Sequence, residues 1–490
     1  MTASRAVLFC LFAAASVLRV HNAWVTPPLA GFDSPYHAAY IGIIHLEGRW
    51  PLSQESWSTF HPPLYYALSA LLWSALPDRL GPHAVLFALR MLNVAAGLAV
   101  GWAVHRSARL LFPQRPRVAL YATGVALFLP MLIGPSSTIG NEMLTAALCA
   151  LAVPLWLRCL EEPESRWRAL ALGAVLGLAV LSKLNATAVV AAAGLVLIAR
   201  AVQIHGPRLP ALEIPALVGV VTLLVSGVYF ARNLTYYGKP FLTEVALSAQ
   251  VMQPSGYGSS REIGAYLRLT PDLLLDPTDR SPRATGAVWP TTFASVWFDI
   301  HGSVIRVQSP WGLCFARILF GFGAVITALC LLGFTLMLAR RATPAVPLGA
   351  AAMFALALIS LASYVAFTRQ VATFSTLKGT MLAPSLTAFA IAAGLGADWV
   401  ARRGRRVGRA LAVFGASFVL AVGAIFWVGW LAPTGVTPAA FSLQGYSDEA
   451  TLRVARYFIW GEPLKARRQR ISPGPDPSLR APAPEAGEAP

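Results

Sequence analysis

The chain has 490 residues, 56% of them hydrophobic and only 12% charged, yet it carries a formal net charge of +17. Soluble globular chains average about 25% charged residues, so this composition argues against a soluble enzyme and for a polytopic membrane protein. The excess charge does not indicate a nucleic-acid partner, because most Lys and Arg stand in short clusters between apolar runs, the pattern of loops held on the cytoplasmic side.

In chain order, apolar runs of span length predict about eleven transmembrane helices with the N-terminus inside. The first, residues 6–24, is read as an uncleaved span, because Arg19 and His21 interrupt the small-residue pattern that a signal-peptide cleavage site needs. The others are 82–104, 118–134, 143–157, 169–182, 185–199, 211–231, 313–339, 345–367, 381–401 and 410–431. Arg106, Arg109, Arg115, Arg117, Arg158, Arg166, Arg168, Arg200, Arg340, Arg341 and the cluster from Arg402 to Arg409 then all fall on one side. The opposite side receives a first loop, 25–81, and a large loop, 232–312. Within the first loop, 36–46 reads as a short amphipathic helix and 63–76 as an apolar helix lying in the interface, opened by a proline pair suited to a first helical turn. Residues 1–432 thus form one transmembrane domain. Residues 433–490 form an outer tail, Pro-, Ala- and Glu-rich and expected to be disordered from about 472.

The five cysteines, Cys10, Cys149, Cys159, Cys314 and Cys330, sit in or at the ends of apolar runs and read as small buried residues. There is no Walker loop, no Gly-rich dinucleotide turn and no Cys/His metal spacing. No cofactor is expected; a metal-dependent form of the chemistry would use Asp33 and Glu142.

The polar residues of interest lie on the outer side. Asp33 is the only acidic residue ahead of Glu47 and stands at the end of the first span. An ionisable group at that boundary is a functional candidate by default; Asp33 is either a general base or the N-cap of the helix that begins at Ser34-Pro35. Glu142, opening the fourth span after Asn141, either contacts substrate or stabilises the helix dipole. Lys183, between the fifth and sixth spans, runs against the positive-inside trend: it reads as an anion contact or as a snorkelling lysine. Arg232, Lys239, Arg369 and Lys378 lie in outer loops close to span ends and, with His61, form a candidate phosphate cradle. Arg90, within the second span, calls for a polar partner or a water-filled cleft. Trp50, Trp57, Phe60, Tyr65 and Tyr66 suit either sugar stacking or an interfacial belt.

The order of these motifs resembles the GT-C-fold glycosyltransferases that use polyprenyl-phosphate sugars, such as protein O-mannosyltransferases and the aminoarabinose transferase. The resemblance rests on Phe32-Asp33-Ser34-Pro35-Tyr36-His37, His61-Pro62-Pro63-Leu64-Tyr65-Tyr66, Asn141-Glu142-Met143-Leu144 and Leu181-Ser182-Lys183-Leu184. It continues through the stretch from Arg232 to Pro240 and ends at Lys378-Gly379-Thr380-Met381-Leu382-Ala383-Pro384. It implies an all-α GT-C-like fold that transfers a monosaccharide from a polyprenyl-phosphate donor to a glycan, lipid or protein acceptor. By the resemblance Asp33 would be the base or orient the acceptor, with Lys183 and the loop basic residues contacting the donor phosphate. Glu142 is a second catalytic candidate, the carboxylate nucleophile of a retaining route, and His37, His61, Tyr65, Asn141, Lys183, Arg232, Lys239 and Lys378 are the candidate substrate-binding residues. The expected location is the bacterial plasma membrane, with the active site on the outer face. The rival reading is a transporter or flippase of a lipid-linked or anionic substrate, which would favour midplane polar residues and interrupted helices over one polar surface.

Overall fold

A computed structural model describes residues 3–242, 260–302, 305–307, 310–427, 436–438 and 448–464. The stretch expected to be disordered, from about 472, lies outside the described residues. The chain is a helical bundle: α1 Ala3–Val25, α2 Ser34–Glu47, α3 Leu64–Ala75, α4 Pro82–Leu111, α5 Pro116–Phe128 and α6 Pro130–Ser136. There follow α7 Glu142–Glu161, α8 Arg166–Ser182, α9 Thr187–His205, α10 Glu213–Tyr237, α11 Val288–Trp297 and α12 Pro310–Leu338. The last are α13 Gly349–Gln370, α14 Leu386–Ala401, α15 Arg405–Ile425 and α16 Glu449–Trp460. Ile305–Val307 and Val436–Pro438 pair as a short antiparallel ribbon, Ile305 opposite Pro438.

Among the described residues nine helical segments are long and apolar enough to cross a membrane, or ten if α5 and α6 count as one bent span. The expected count of eleven is not reached. The missing span is 169–182: α8 has 17 residues, a length of about 26 Å at 1.5 Å per residue, against a hydrocarbon core of about 30 Å. The expected span 118–134 is broken by 52° between α5 and α6. Pro130 has no N–H to donate and its ring crowds the preceding turn, so the carbonyls at the end of α5 lose their intrahelical donors. Arg19 supplies the missing donor. From inside α1, wholly buried, its Nη2 donates to the Leu127 carbonyl at 2.7 Å and its Nε to Ser136 Oγ at 3.2 Å, tying both halves of the break to α1. Arg90 does the same for the end of α1, donating to the carbonyls of Ala23, Thr26 and Pro27. A guanidinium at a helix C-terminus also meets the negative end of the dipole.

The first outer loop departs from expectation in one respect. Helix α2 is no surface amphipathic helix, for nine of its 14 residues are buried. It is roofed by α16, where Val454 packs against Gly42 and Arg453 pairs with Glu47 at 2.9 Å. Apolar residues all round a helix require cover on both sides, and a helix from the C-terminal tail provides it. Helix α3, 12 residues long, is too short to cross, as anticipated.

Small residues set the closest helix contacts. On α12 and α14, an added Cβ at Gly333 or Gly396 would overlap the carbonyl oxygen of Ala392 or Leu329 respectively. On α8, Gly173 and Gly177 lie four apart on one face against α10. A Cβ at Gly177 would stand 2.6 Å from Val225 Cβ and 2.9 Å from the Thr222 carbonyl oxygen. Thr222 Oγ1 reaches the Gly173 carbonyl at 3.2 Å. This small-x-x-x-small face lets two backbones approach in lipid, where packing rather than hydrophobicity drives association. Gly177→Val is therefore expected to destabilise the protein by about 1–3 kcal/mol, read as a lower midpoint of thermal unfolding in detergent. An unchanged midpoint would mean that α8 and α10 are not in backbone contact.

Candidate functional site

The turn between α1 and α2 is tightly wound. Gly31 has φ +119°, and a Cβ there would meet Ser34 Oγ and Thr138 at under 3 Å. Asp33 adopts the left-handed conformation, φ 56° and ψ 7°, which Asp and Asn tolerate better than other non-glycine residues. Ser34 Oγ donates to the Ile139 carbonyl at 2.8 Å and pins the turn to the segment that leads into α7. Asp33 occupies the N-cap position of α2, yet its side chain makes no capping hydrogen bond. The second helical position is Pro35, which has no N–H to satisfy. The carboxylate instead points at Lys378, with Oδ2 3.7 Å from Nζ, and remains 30% exposed. The same ammonium stands 3.0 Å from the centre of the Phe32 ring, a cation–π contact.

A second acid–lysine pair lies alongside. Glu142, the first residue of α7, meets Lys183 Nζ at 2.8 Å. Lys183 follows the last residue of α8, in extended conformation before the 3-10 turn Leu184–Ala186. Asn141 Nδ2 donates to the Ser182 carbonyl at 3.0 Å, and Thr145 and Ser182 hydroxyls lie 2.8 Å apart. These bonds clamp the start of α7 to the end of α8 and so fix the pair. Asn141 is buried and acts through this clamp, while its Oδ1 is buried without a protein partner.

Between the pairs runs an aromatic column. His37, buried, has Nδ1 2.8 Å from Tyr66 Oη, stacks on His61 at 5.8 Å, and is followed by Tyr66 stacked on Tyr40 at 3.8 Å. Burial lowers the His37 pKa from its usual 6.5, against the opposing pull of Glu142 and Asp33. His61 is driven well below 6.5, by burial first and then by Lys183. Burial raises the Tyr66 hydroxyl well above 10. Both imidazoles are therefore neutral near pH 7.

Two cavities meet at this wall. One, of about 230 Å³, lies between α9, α13 and the segment Gly379–Ser385; His61, Lys183 and Asn185 form its polar rim and Tyr364, Phe367 and Met381 part of its apolar side. The other, about 80 Å³, is lined by Phe32, Glu142, Asp299, His301, Lys378 and Thr380. Lys183 faces the first and its partner Glu142 the second. His301 donates its Nε2–H to the Leu377 carbonyl at 3.3 Å; burial first, then Lys378, lowers its pKa to about 4.

The remaining expected residues lie elsewhere. Arg232 donates to the Pro51 carbonyl and stacks over Trp50 at 4.5 Å and Tyr236 at 5.4 Å. With Tyr237, whose hydroxyl accepts from the Ser53 N–H at 2.8 Å, it clamps the first outer loop to α10. Lys239 is exposed beyond the left-handed cap Gly238. Tyr65 is buried beneath the site, its hydroxyl accepting from the Gly140 N–H and Asn93 Nδ2; its neighbour Tyr66 joins the column. Phe32, Asp299 and His301 complete the second cavity and were not singled out as site residues from sequence. Their one signal is the aromatic–acid–histidine run Phe298-Asp299-Ile300-His301. Among the described residues no three His, Cys, Asp or Glu side chains converge as a metal site. Asp33 and Glu142 each face a lysine ammonium that would oppose a divalent cation, so no step is assigned to a metal.

Residues 61–229 match the family model described as dolichyl-phosphate-mannose-protein mannosyltransferase. A comparison with curated proteins finds no match. Among solved structures, the chain resembles the apo oligosaccharyltransferase of Archaeoglobus fulgidus, with TM-score 0.54 and 16% identity over 96% of this chain and 61% of that one. It also resembles ArnT of Cupriavidus metallidurans bound to undecaprenyl phosphate, with TM-score 0.50 and 17% identity over 92% of this chain and 70% of that one. The archaeal enzyme AglB in complex with an inhibitory peptide and a dolichol-phosphate gives TM-score 0.52 and 15% identity over 95% and 60%. The chain thus spans about three fifths of the archaeal proteins' length. At such identities the likeness is one of fold. The polytopic helical bundle anticipated from the motif order is the GT-C fold, and residues 61–229 carry the sequence pattern of the dolichyl-phosphate-mannose-protein mannosyltransferase family.

Proposed function

We propose that the chain is a membrane glycosyltransferase that moves a monosaccharide from a polyprenyl-phosphate donor to an acceptor hydroxyl or amine at the outer membrane surface. The observation that carries this reading is the meeting of two acid–lysine pairs, Asp33–Lys378 and Glu142–Lys183, at the wall between an apolar-sided cavity and a polar one. A donor with a lipid tail, a phosphate and a sugar needs that sequence of environments. Charges within the helical body do not form a transport route: Arg19 and Arg90 donate to backbone carbonyls that cap broken or terminal helix turns.

In this reading the lipid tail enters the cavity between α9 and α13, and Lys183 meets the phosphate. An ammonium has three donors, so Lys183 holds Glu142 and a phosphate oxygen together. The acceptor lies in the cavity of Lys378, Asp299 and His301. Asp33 takes the acceptor proton as the acceptor bonds to the anomeric carbon. The bond from that carbon to the phosphate oxygen breaks, and its electron pair leaves on the lipid phosphate, where Lys183 stabilises it. A single displacement inverts the anomeric centre. Glu142, held by Lys183 at 2.8 Å, is poorly placed as the free nucleophile that a retaining route requires. Neutral His37 and His61 line the path without adding charge. Arg232 keeps the first loop closed over them, and Lys239 contributes no contact to the cradle.

Asp33→Asn tests the base directly. Asn is equally at home in the left-handed turn, so the variant is expected to fold while losing about 10²–10⁴-fold in transfer rate, measured as polyprenyl phosphate released from a lipid-phosphate sugar. Wild-type turnover in that variant would sink the assignment. Lys183→Ala is expected to raise the donor KM more than the acceptor KM; equal effects would remove Lys183 from the phosphate site. The histidines give a pH signature. Their folded-state pKa values are depressed, so below about 6.5 the unfolded chain binds protons that the folded chain refuses. Their contribution to stability is present above pH 6.5 and falls as pH drops through that value. Thermal midpoints should decline from pH 7 to pH 5, less steeply in His37→Gln; identical slopes in the two proteins would contradict this.

A further inference from the structure

Four helices of the site have their other ends together. Helix α7 starts at Glu142 and α8 stops before Lys183, while α9 begins just beyond it and the outer turn of α10 clamps the first loop. Their far ends meet around a cavity of about 700 Å³ at the Arg-rich end of the bundle, where Cys159, Arg166, His205 and Glu213 line it from α7, α8, α9 and α10 respectively. That volume is within the roughly 300–1,000 Å³ of small-molecule sites.

The lining is divided in a telling way. Its polar wall carries Arg166, Arg200 and Arg208, with His205. Glu213 engages Arg166 at 2.6 Å. Arg200 is aimed by neutral partners, its Nε donating to the Leu160 carbonyl at 3.2 Å and its Nη1 to Gln203 Oε1 at 3.0 Å. Among the described residues neither Arg200 nor Arg208 has a carboxylate within ion-pair distance. The remaining acid on the lining, Glu164, therefore leaves the arginines in excess. The other wall is apolar, made by Leu197, Ile204, Ile214 and Pro215. Exposed Trp167, Leu209 and Leu212 stand on the neighbouring surface, where aromatic and aliphatic side chains mark a membrane interface.

We propose that this cavity binds a phosphate group, with Arg200 and Arg208 as its ligands, and that the excess of positive charge selects an anionic phospholipid whose acyl chains pass along the apolar wall. Arginine presents a planar fork suited to phosphate oxygens, and basic pockets between membrane helices on the cytoplasmic side take such head groups. A lipid seated here would brace α7, α8, α9 and α10 at the ends remote from Asp33. The inference does not depend on the transfer reaction, and binding is its readout.

The test uses the purified full chain in neutral detergent, titrated with phosphatidylglycerol or phosphatidylcholine and read by native mass spectrometry, with inorganic phosphate as competitor. Phosphatidylglycerol is expected to bind more tightly than phosphatidylcholine. Each arginine is worth about fivefold, so Arg200→Gln/Arg208→Gln should weaken phosphatidylglycerol by about 25-fold and leave phosphatidylcholine unchanged. Should the double variant fail to fold, Arg208→Gln alone, in an exposed loop, is expected to show the fivefold loss. Displacement of the lipid by millimolar phosphate, with direct phosphate binding, would support the same anion site with a soluble phosphate as its source. Equal binding of the two lipids, or a preference that survives both substitutions, would overturn the proposal.

Discussion

Glu142 and Lys183 stand 2.8 Å apart where α7 begins and α8 ends, and neither is comfortable alone at the edge of an apolar bundle. Removing one partner from such a pair leaves the other charge uncompensated, which costs far more than the pair itself contributes. The two helix ends are thereby obliged to stay together. Asn141 and Thr145 stitch the same joint to Ser182, so the ammonium is held in one place at the polar rim of the larger, apolar-sided cavity. Asp33 and Lys378 repeat the arrangement more loosely, at 3.7 Å. That looseness leaves the carboxylate 30% exposed, beside the cavity that Lys378 lines.

Other charges buried in the bundle serve structure. Among the described residues no acid lies within ion-pair distance of Arg19 or Arg90; each spends its donors on carbonyls that a helix break or a helix end has orphaned. This is the economy expected in lipid, where every backbone polar group must be satisfied within the protein. The break at Leu129–Pro130 also has a consequence for the site. It turns α6 so that Pro130, Met131, Gly134 and Pro135 line the polar cavity with Phe32 and Glu142, which a straight span would not do.

Composition and basic clusters made the membrane class and the polar face of the bundle legible, and the motif order made the fold legible. Helix ends were read to within a few residues at α2 and α3 because Pro, Gly and polarity changes mark them, whereas α10 runs six residues past the expected end at 231. The count of spans was harder to read, since α8, at 17 residues, is three shorter than the shortest of the nine crossing-length helices and α5–α6 bends at a proline that hydropathy does not register. Within the site, Asp33, Glu142, Lys183, Lys378, His37 and His61 were visible because charge and imidazole are rare near an apolar run. Tyr65 and Tyr66 were indistinguishable as neighbours; a helix turns them about 100° apart, and only the packing of α3 against α2 sends Tyr66 to His37 and Tyr65 to Asn93 and Gly140.

The sequence by itself determined that the chain is a multi-pass membrane protein with a polar surface at one end, because burying charge in hydrocarbon is expensive and leaves a mark in composition. It could not determine which basic residue meets which acid. Lys183, Arg232, Lys239 and Lys378 are equivalent in sequence as cations close to span ends. Tertiary structure gave Lys183 to Glu142 and Lys378 to Asp33, sent Arg232 to an aromatic clamp, and left Lys239 in solvent. It also set a C-terminal helix over α2 and brought Asp299 and His301 to Phe32. Such pairings join residues from 41 to 406 positions apart, which helix packing decides and local pattern does not encode.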